Sequence, residues 1–235
     1  MIRSFILGVL LLLFAEMNAQ LMWPGDVNNN GIVNHIDVLY LGNAIGTVGP
    51  PRTDATINWE GQTIRTLWAE EFSNGVNYAY ADSDGNGIIS QEDFFLGIDS
   101  NYGFTHGVVI SENFDLGVPD ASPQLGFSEV SDPIIEGTIA GILLSFGTED
   151  LPVEDFYGVA FSINYDLDIV QFGFFPFQNF EGFDEGWLDN DGGEPLISFR
   201  PNLTGNKIEV AITRTSGMPA TSNFGDFGAF FYCHY

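Results

Sequence analysis

A twelve-residue pattern of aspartate, asparagine and glycine occurs twice in this chain and constrains its fold more than any other feature. Counted from Asp26 and from Asp82, both copies place an acidic or amide residue at positions 1, 3 and 5, glycine at position 6 and aspartate at position 12. Glycine at position 6 permits a sharp turn with a left-handed backbone. Apolar residues at helical spacing follow each copy, so the sequence predicts two loop–helix units.

The residue types in these loops are those that bind calcium. Ca²⁺ takes several oxygen ligands in a flexible shell, supplied by side chains at positions 1, 3, 5 and 12, the backbone carbonyl at position 7 and a water near position 9. Magnesium fits less well because it requires rigid six-coordination, and a single copy of the pattern could also be an ordinary Asn-Gly turn. We therefore expect two Ca²⁺ ions, the first bound by Asp26, Asn28, Asn30, Ile32, Asn34 and Asp37 and the second by Asp82, Asp84, Asn86, Ile88, Ser90 and Asp93.

The two predicted sites differ in charge. The first loop offers two carboxylates, Asp26 and Asp37, whereas the second offers three, Asp82, Asp84 and Asp93. Affinity in such loops depends on the number of charged ligands, and extracellular modules bind calcium with dissociation constants of about 10⁻⁴ to 10⁻³ M. We therefore predict that the second site binds calcium more tightly.

Both units resemble a known calcium-binding repeat. Gly25–Gly42 (GDVNNNGIVNHIDVLYLG) and Asp82–Asp93 (DSDGNGIISQED) are similar to the loop–helix repeats of dockerins, which are domains of EF-hand type. The resemblance implies two repeats in antiparallel arrangement, calcium ligands at the positions given above and a cohesin domain as partner. The loops start 82 − 26 = 56 residues apart, farther than is usual in the family, because an insert at residues 43–78 separates them.

Loop positions 10 and 11, which often contact the partner in dockerins, differ between the two repeats. They are His35-Ile36 in the first and Gln91-Glu92 in the second, so the repeats do not offer the same surface twice. We therefore consider two partners, a cohesin-like protein domain and the β-sandwich of the chain's own second half.

From about residue 105 the pattern changes to short runs in which apolar and polar residues alternate. Val159, Phe161 and Ile163, for example, would lie on one face of a strand. Glycine, proline, asparagine and aspartate separate the runs, which is typical of antiparallel sheets. The predicted strands are Ile134–Phe146, Tyr157–Tyr165, Ile169–Phe175, Leu196–Phe199 and Lys207–Thr213.

This half resembles a cohesin-like or related carbohydrate-binding-module sandwich, on Tyr157–Asp166, Ile169–Phe172 and Lys207–Thr213. The resemblance implies an antiparallel β-sandwich of jelly-roll or immunoglobulin-like type. The final strands of such a fold are not recognisable, so we expect a sandwich that is truncated at its C-terminus. The sequence leaves two alternatives for the tail from about Phe224, a native segment or the result of a truncation.

The predicted fold class is therefore α + β with two domains. A small EF-hand-like helical domain of dockerin type, with its insert at 43–78, is expected over residues 20–104, and the β-sandwich over residues 105–235. Residues 1–19 are predicted to be a signal peptide, because a basic start at Arg3 precedes an apolar run and small residues that end at Ala19. The apolar run is too short to cross a bilayer, so we expect a protein without a membrane span, secreted, extracellular or on a bacterial cell surface.

Net charge limits the partners. The formal charge is −26, and a surface of this sign repels nucleic acid. Hydrophobic residues make up 45% of the chain, which favours a packed core over disorder. Cys233 is the only cysteine, so no internal disulfide can stabilise the fold, and a bound metal is the usual substitute.

The sequence contains no constellation typical of catalysis, and we predict a protein that is not an enzyme. His35 is expected to face solvent and His106 to cap the second helix. The pairs Glu149/Asp150 and Glu154/Asp155 could in principle form a glycosidase couple, but exposed acidic loops account for them better.

Two functions remain from different classes. The first is a calcium-binding, non-catalytic scaffold or adhesion protein that mediates protein–protein interaction. The alternative is a carbohydrate-binding module associated with polysaccharide degradation. Its candidate residues are Trp187 and the aromatic cluster between Phe172 and Phe183, provided that these rings are exposed rather than buried in the core.

Overall fold

The computed structural model describes residues 20–112, 121–129, 136–137, 139–166, 170–171, 195–202, 206–216 and 224–234. The predicted signal peptide at 1–19, Trp187 and the aromatic cluster between Phe172 and Phe183 lie outside these residues. The described part combines a few short helices with antiparallel sheets, as the α + β prediction required.

The first half contains two helices, a short antiparallel pair of strands and a 3₁₀ turn. Both predicted loops are followed by a helix, and the second helix continues directly into a π-helical turn. The elements in chain order are β1 (Gln20–Met22), α1 (His35–Ala44), β2 (Gln62–Ile64), the 3₁₀ turn (Tyr78–Tyr80), α2 (Gln91–Asp93) and the π-helical turn (Phe94–Asp99). Strands β1 and β2 pair antiparallel, and β2 lies within the predicted insert.

Each helix starts where a capping box satisfies its first backbone amides. Asn34 at loop position 9 accepts from the third helical amide, while Asp37 accepts from the backbone of Asn34. Ser90 and Asp93 make the same reciprocal pair at the start of α2. Because Asp37 and Asp93 are also loop position 12, the end of each loop and the start of each helix are built from the same side chains.

The described residues of the second half form two antiparallel sheets. One has four strands in the order β3 (Leu125–Glu129), β4 (Ile139–Phe146), β9 (Gly225–His234) and β6 (Val170–Gln171). The other has three strands in the order β5 (Gly158–Asn164), β8 (Lys207–Thr213) and β7 (Leu196–Asn202). Leu144 of the larger sheet and Ile208, Val210 and Ile212 of the smaller sheet belong to one buried hydrophobic cluster.

Most predicted strands coincide with observed ones. The prediction for Lys207–Thr213 matches β8 residue for residue, and Tyr157–Tyr165 exceeds β5 by one residue at each end. No strand was predicted for Gly225–His234, yet this segment is β9 and pairs with both β4 and β6. Its aromatic and small residues lack the strict alternation by which the other strands were recognised.

The helical half packs directly on the smaller sheet. Helix α1 lies against β8, β5 and β7, and its buried Leu41 shares a core cluster with Leu196 and Ala211 of that sheet. The approach is close, since a Cβ atom built on Gly42 would lie 2.1 Å from Thr213 Oγ1. None of the helices in the described residues is long and apolar enough to cross a membrane.

Candidate metal centre

Position 1 of each loop is a buried aspartate that the loop's own amides surround. In the first loop, Asp26 Oδ1 accepts from the amide of Asn30 and Oδ2 from that of Gly31, both at 3.0 Å. In the second, the amide of Gly87 lies 3.3 Å from both carboxylate oxygens of Asp82. Gly31 and Gly87 have φ of +92° and +88°, the left-handed backbone predicted for position 6.

Positions 3 and 5 close the turns in the same way in both loops. Asn28 Oδ1 accepts from the amide of Asn30 at 3.0 Å, and Asp84 Oδ1 accepts from the amide of Asn86 at 2.9 Å. The position-5 side chains accept in turn from the position-7 amides, Asn30 from Ile32 and Asn86 from Ile88. These side chains are thereby held on the inner side of a tight turn.

Position 12 brings a second carboxylate back to the start of each loop. Asp37 accepts from the amides of Asn28 at 3.2 Å and Asn34 at 2.8 Å. Asp93 makes the equivalent bonds, to the amides of Asp84 at 3.2 Å and Ser90 at 2.8 Å. Both aspartates are fully buried. A shorter side chain than the glutamate common at this position therefore still reaches the loop.

The side chains at loop position 9 accept hydrogen bonds from the first turns of the helices. Asn34 Oδ1 accepts from the amide of Ile36 at 2.7 Å, and Ser90 Oγ accepts from the amide of Glu92 at 3.1 Å. Both side-chain oxygens are thus committed to helix capping. At position 7, the side chain of Ile88 is half exposed.

The chemistry of the second loop suits a divalent cation. Asp82, Asp84 and Asp93 each present a carboxylate oxygen, and these oxygens lie within 4.8 Å of one another. Burial, with a smaller contribution from the neighbouring carboxylates, raises the pKa of Asp82 to about 6 and that of Asp93 to about 7. Buried like charges of this kind are costly unless a cation offsets them, so the residues present fit calcium.

The first loop has the same electrostatic character. Burial raises the pKa of the Asp26 carboxyl group. Burial also raises the pKa of Asp37 well above its usual value, and the charge of Asp26 adds to the effect. Each aspartate therefore resists ionisation until a positive charge is bound nearby.

Each loop is clamped by the segment that follows the other repeat's helix. The amide of Val33 in the first loop donates to the carbonyl of Phe104, which follows α2, at 3.0 Å. The amide of Ile89 in the second loop donates to the carbonyl of Thr47, which follows α1, also at 3.0 Å. This exchange gives the two repeats an approximate twofold relationship.

Two basic side chains that no sequence pattern predicted approach the position-1 aspartates. His106 Nε2 lies 2.6 Å from Asp26 Oδ2, and its ring stacks on Trp23 with centroids 4.7 Å apart. The prediction that His106 caps the second helix is therefore wrong. Arg52, from the insert, donates to the carbonyls of Asp82 and Ser83. No local spacing signals these contacts, since each joins residues at least 30 positions apart.

His35, at position 10 of the first loop, is buried rather than exposed to solvent. Its Nδ1 lies 3.7 Å from Glu209 Oε1 on β8, so the prediction of a solvent-facing histidine is wrong. The cause is the packing of α1 on the smaller sheet. The side chain at position 10 of this repeat therefore contacts another part of the same chain. Glu149, Asp150, Glu154 and Asp155 are exposed, as the reading of acidic surface loops predicted.

Comparisons with known proteins give one family match. No curated protein matches the chain. Among solved structures, a type II cohesin–X–dockerin complex from Acetivibrio cellulolyticus, an N-terminal interface mutant, is similar with a TM-score of 0.33 and 11% identity, over 48% of this chain and 71% of that one. Residues 24–96 match the family model described as the dockerin type I domain, and this match spans both loops and the insert between them. The chain therefore carries a dockerin type I domain at residues 24–96.

Proposed function

We propose that this chain is a secreted or cell-surface, calcium-binding, non-catalytic protein that mediates protein–protein interaction. Two Ca²⁺ ions would be bound by the loops that start at Asp26 and Asp82. The observation that carries the proposal is the convergence of carboxylates in both loops. They are buried at positions 1 and 12 of each loop and half-buried at position 3 of the second. The family match over the same residues supports it.

Calcium binding would stabilise the folded state of the protein. An ion bound to the folded state alone stabilises it by mass action, by roughly 1.4 kcal/mol at ten times the dissociation constant. The helical half is small, and each loop is hydrogen-bonded to the segment that follows the other helix, through Val33–Phe104 and Ile89–Thr47. Ordering either loop therefore supports the segment that follows the other helix.

The packing of the first repeat bears on the choice of partner. Helix α1 and the side chains of His35 and Tyr102 contact β8 of the same chain. This supports the chain's own β-sandwich, which we infer from the two sheets around one hydrophobic cluster, as the partner of the first repeat. A cohesin-like domain would then bind at the second repeat, where Val48 and Ile88 pair and leave their side chains exposed.

Calorimetric titration of the chelator-treated protein with calcium tests the metal proposal. We expect two ions per chain, loss of both in a variant that combines Asp37→Asn with Asp93→Asn, and a thermal shift of the unmodified protein on loading. Asp54→Asn removes an equally charged but exposed side chain and should change neither binding nor stability. Absence of heat and of a thermal shift at millimolar calcium would overturn the proposal.

A second candidate function, carbohydrate binding, is favoured by one groove. A cavity of about 410 Å³ lies where α1 meets the start of β5. Its lining combines the partly exposed rings of Tyr40 and Tyr157 with the side chains of Asn43, Glu154 and Asp155. Rings of this kind stack on sugars, and acidic and amide groups bind sugar hydroxyls. Retardation of the protein in gels that contain soluble polysaccharide, abolished by Tyr157→Ala, would support this function, whereas unchanged migration in every polysaccharide would reject it.

A further inference from the structure

The segment after the second helix runs along the first loop beyond the residues that form the clamp. The amide of His106 donates to the carbonyl of Gly31 at 2.9 Å, and the amide of Ile110 donates to the carbonyl of Asn30 at 2.7 Å. The backbone passes so close that a Cβ atom built on Gly31 would lie 2.8 Å from the carbonyl oxygen of Val108. These contacts place Glu112, the next acidic residue along the chain, beside the first loop.

Glu112 contacts two of the predicted calcium ligands at once. Its Oε1 accepts hydrogen bonds from the side-chain amides of Asn28 and Asn30, the latter at 3.2 Å. These are loop positions 3 and 5, whose side chains line the inner side of the turn. Burial raises the pKa of the Glu112 carboxyl group, and the two amides counteract this effect.

We propose that Glu112 supplies a third carboxylate to the first calcium site. The inference rests on the proposed function of the loop in binding Ca²⁺. A carboxylate is a harder and more strongly bound ligand for this ion than a side-chain amide, and each asparagine can offer its oxygen to the ion while its NH₂ group remains bonded to Glu112. Glu112 lies 112 − 96 = 16 residues beyond the family match, so it is an addition to the repeat.

The added carboxylate changes the charge balance between the two sites. With Glu112 the first site has three carboxylates, the same number as Asp82, Asp84 and Asp93 provide to the second. The second site, however, has Arg52 beside it, with Nη1 3.7 Å from Asp82 Oδ2. A cation at this distance opposes the binding of Ca²⁺. The first site has His106 Nε2 2.6 Å from Asp26 Oδ2, so each position-1 aspartate has one basic neighbour. The number of carboxylates therefore no longer favours the second site, whereas the loop sequences alone predict that the second site binds more tightly.

Nuclear magnetic resonance can follow each site separately in one sample. The amides of Gly31 and Gly87 donate to the position-1 aspartates of their own loops, so each reports on its own site during a calcium titration. Glu112→Gln keeps a hydrogen-bond acceptor and removes the charge. We expect it to raise the dissociation constant reported by Gly31 about tenfold and that reported by Gly87 less than about twofold.

Glu60→Gln is the matched control, because it removes the same charge from an exposed position of the insert and should change neither constant. Glu112→Asp keeps the charge with a shorter reach and gives an intermediate value for Gly31 even where the glutamine variant is poorly folded. An unchanged constant at Gly31 in folded Glu112→Gln overturns the inference and leaves calcium binding intact. If neither glycine responds to calcium in the unmodified protein, the proposed function itself fails.

Discussion

The hydroxyl group of Tyr102 donates a hydrogen bond to Glu209 Oε2 at 2.9 Å and so links the end of the helical half to strand β8. Arg200 of β7 lies over the Tyr102 ring, 5.2 Å from its centroid, and forms an ion pair with Asp99. Glu209 also faces His35 and Lys207. The two halves of the chain are therefore joined by a polar cluster beside the apolar packing of α1.

Removal of this hydroxyl should loosen the junction. A hydrogen bond to a charged, half-buried group contributes about 1.5–3 kcal/mol, and we expect Tyr102→Phe to lower the free energy of unfolding by about that amount. Urea denaturation followed by fluorescence provides the measurement. Tyr157→Phe removes a hydroxyl from an exposed ring and should stay within about 0.5 kcal/mol of the unmodified protein. Equal effects of the two substitutions would show that the junction bond contributes nothing.

Substitution of Gly42 tests how closely α1 approaches the smaller sheet. Glycine-to-alanine changes inside helices usually stabilise by about 1 kcal/mol. Here the new Cβ atom would collide with Thr213, so we expect Gly42→Ala to destabilise by about 1–3 kcal/mol instead. Asn43→Ala, at the next and exposed position of the same helix, should be neutral or slightly stabilising. A stabilised Gly42→Ala variant in thermal denaturation would contradict the close packing.

Gly31 is required both by its backbone conformation and by its neighbours. Gly31→Ala would combine the strain of φ +92° with a contact of 2.8 Å to the Val108 carbonyl oxygen. Gly75→Ala has φ +83° and no atom within 4 Å of the new Cβ, so it isolates the conformational cost, about 1–2 kcal/mol. We expect Gly31→Ala to cost more than Gly75→Ala in unfolding experiments and to weaken calcium binding at the first loop. Identical costs would mean that the 106–112 segment does not constrain the loop.

Calcium binding should depend on pH through the carboxylates of the second loop. Burial raises the pKa of Asp82 to about 6 and that of Asp93 to about 7, whereas an unfolded aspartate titrates near 3.9. In the calcium-free protein these groups contribute stability that is fully present below about pH 4 and is lost as the pH rises through 6 to 7. Because Ca²⁺ must displace the same protons, its affinity should rise over that window.

Two measurements check this dependence. Melting temperatures in the presence of chelator should fall between pH 5 and pH 8, and the Asp93→Asn variant should show a smaller fall. Calorimetry near pH 6.5 in two buffers of different ionisation enthalpy should reveal proton release on calcium binding. Binding heats that are independent of the buffer would contradict the raised pKa values.

The sequence by itself determined the local structure of the two repeats. Spacing within twelve residues places Asp26 and Asp37 on one turn, and Asp82 and Asp93 on another, because each bond that closes these loops joins residues fewer than ten positions apart. The alternation of apolar and polar residues that predicted β5 and β8 is also a local property of the sequence, because the side chains of a half-buried strand repeat every two residues.

Only the tertiary structure decided which other residues meet the loops. His106, Arg52 and Glu112 reach them from segments 30 to 84 positions away, and His35 is buried because α1 packs on β8. Strand β9 is set by its neighbours β4 and β6 rather than by its own pattern. Contacts of this kind depend on how the chain folds back on itself, which no short-range periodicity encodes, and they fix the charge around each site.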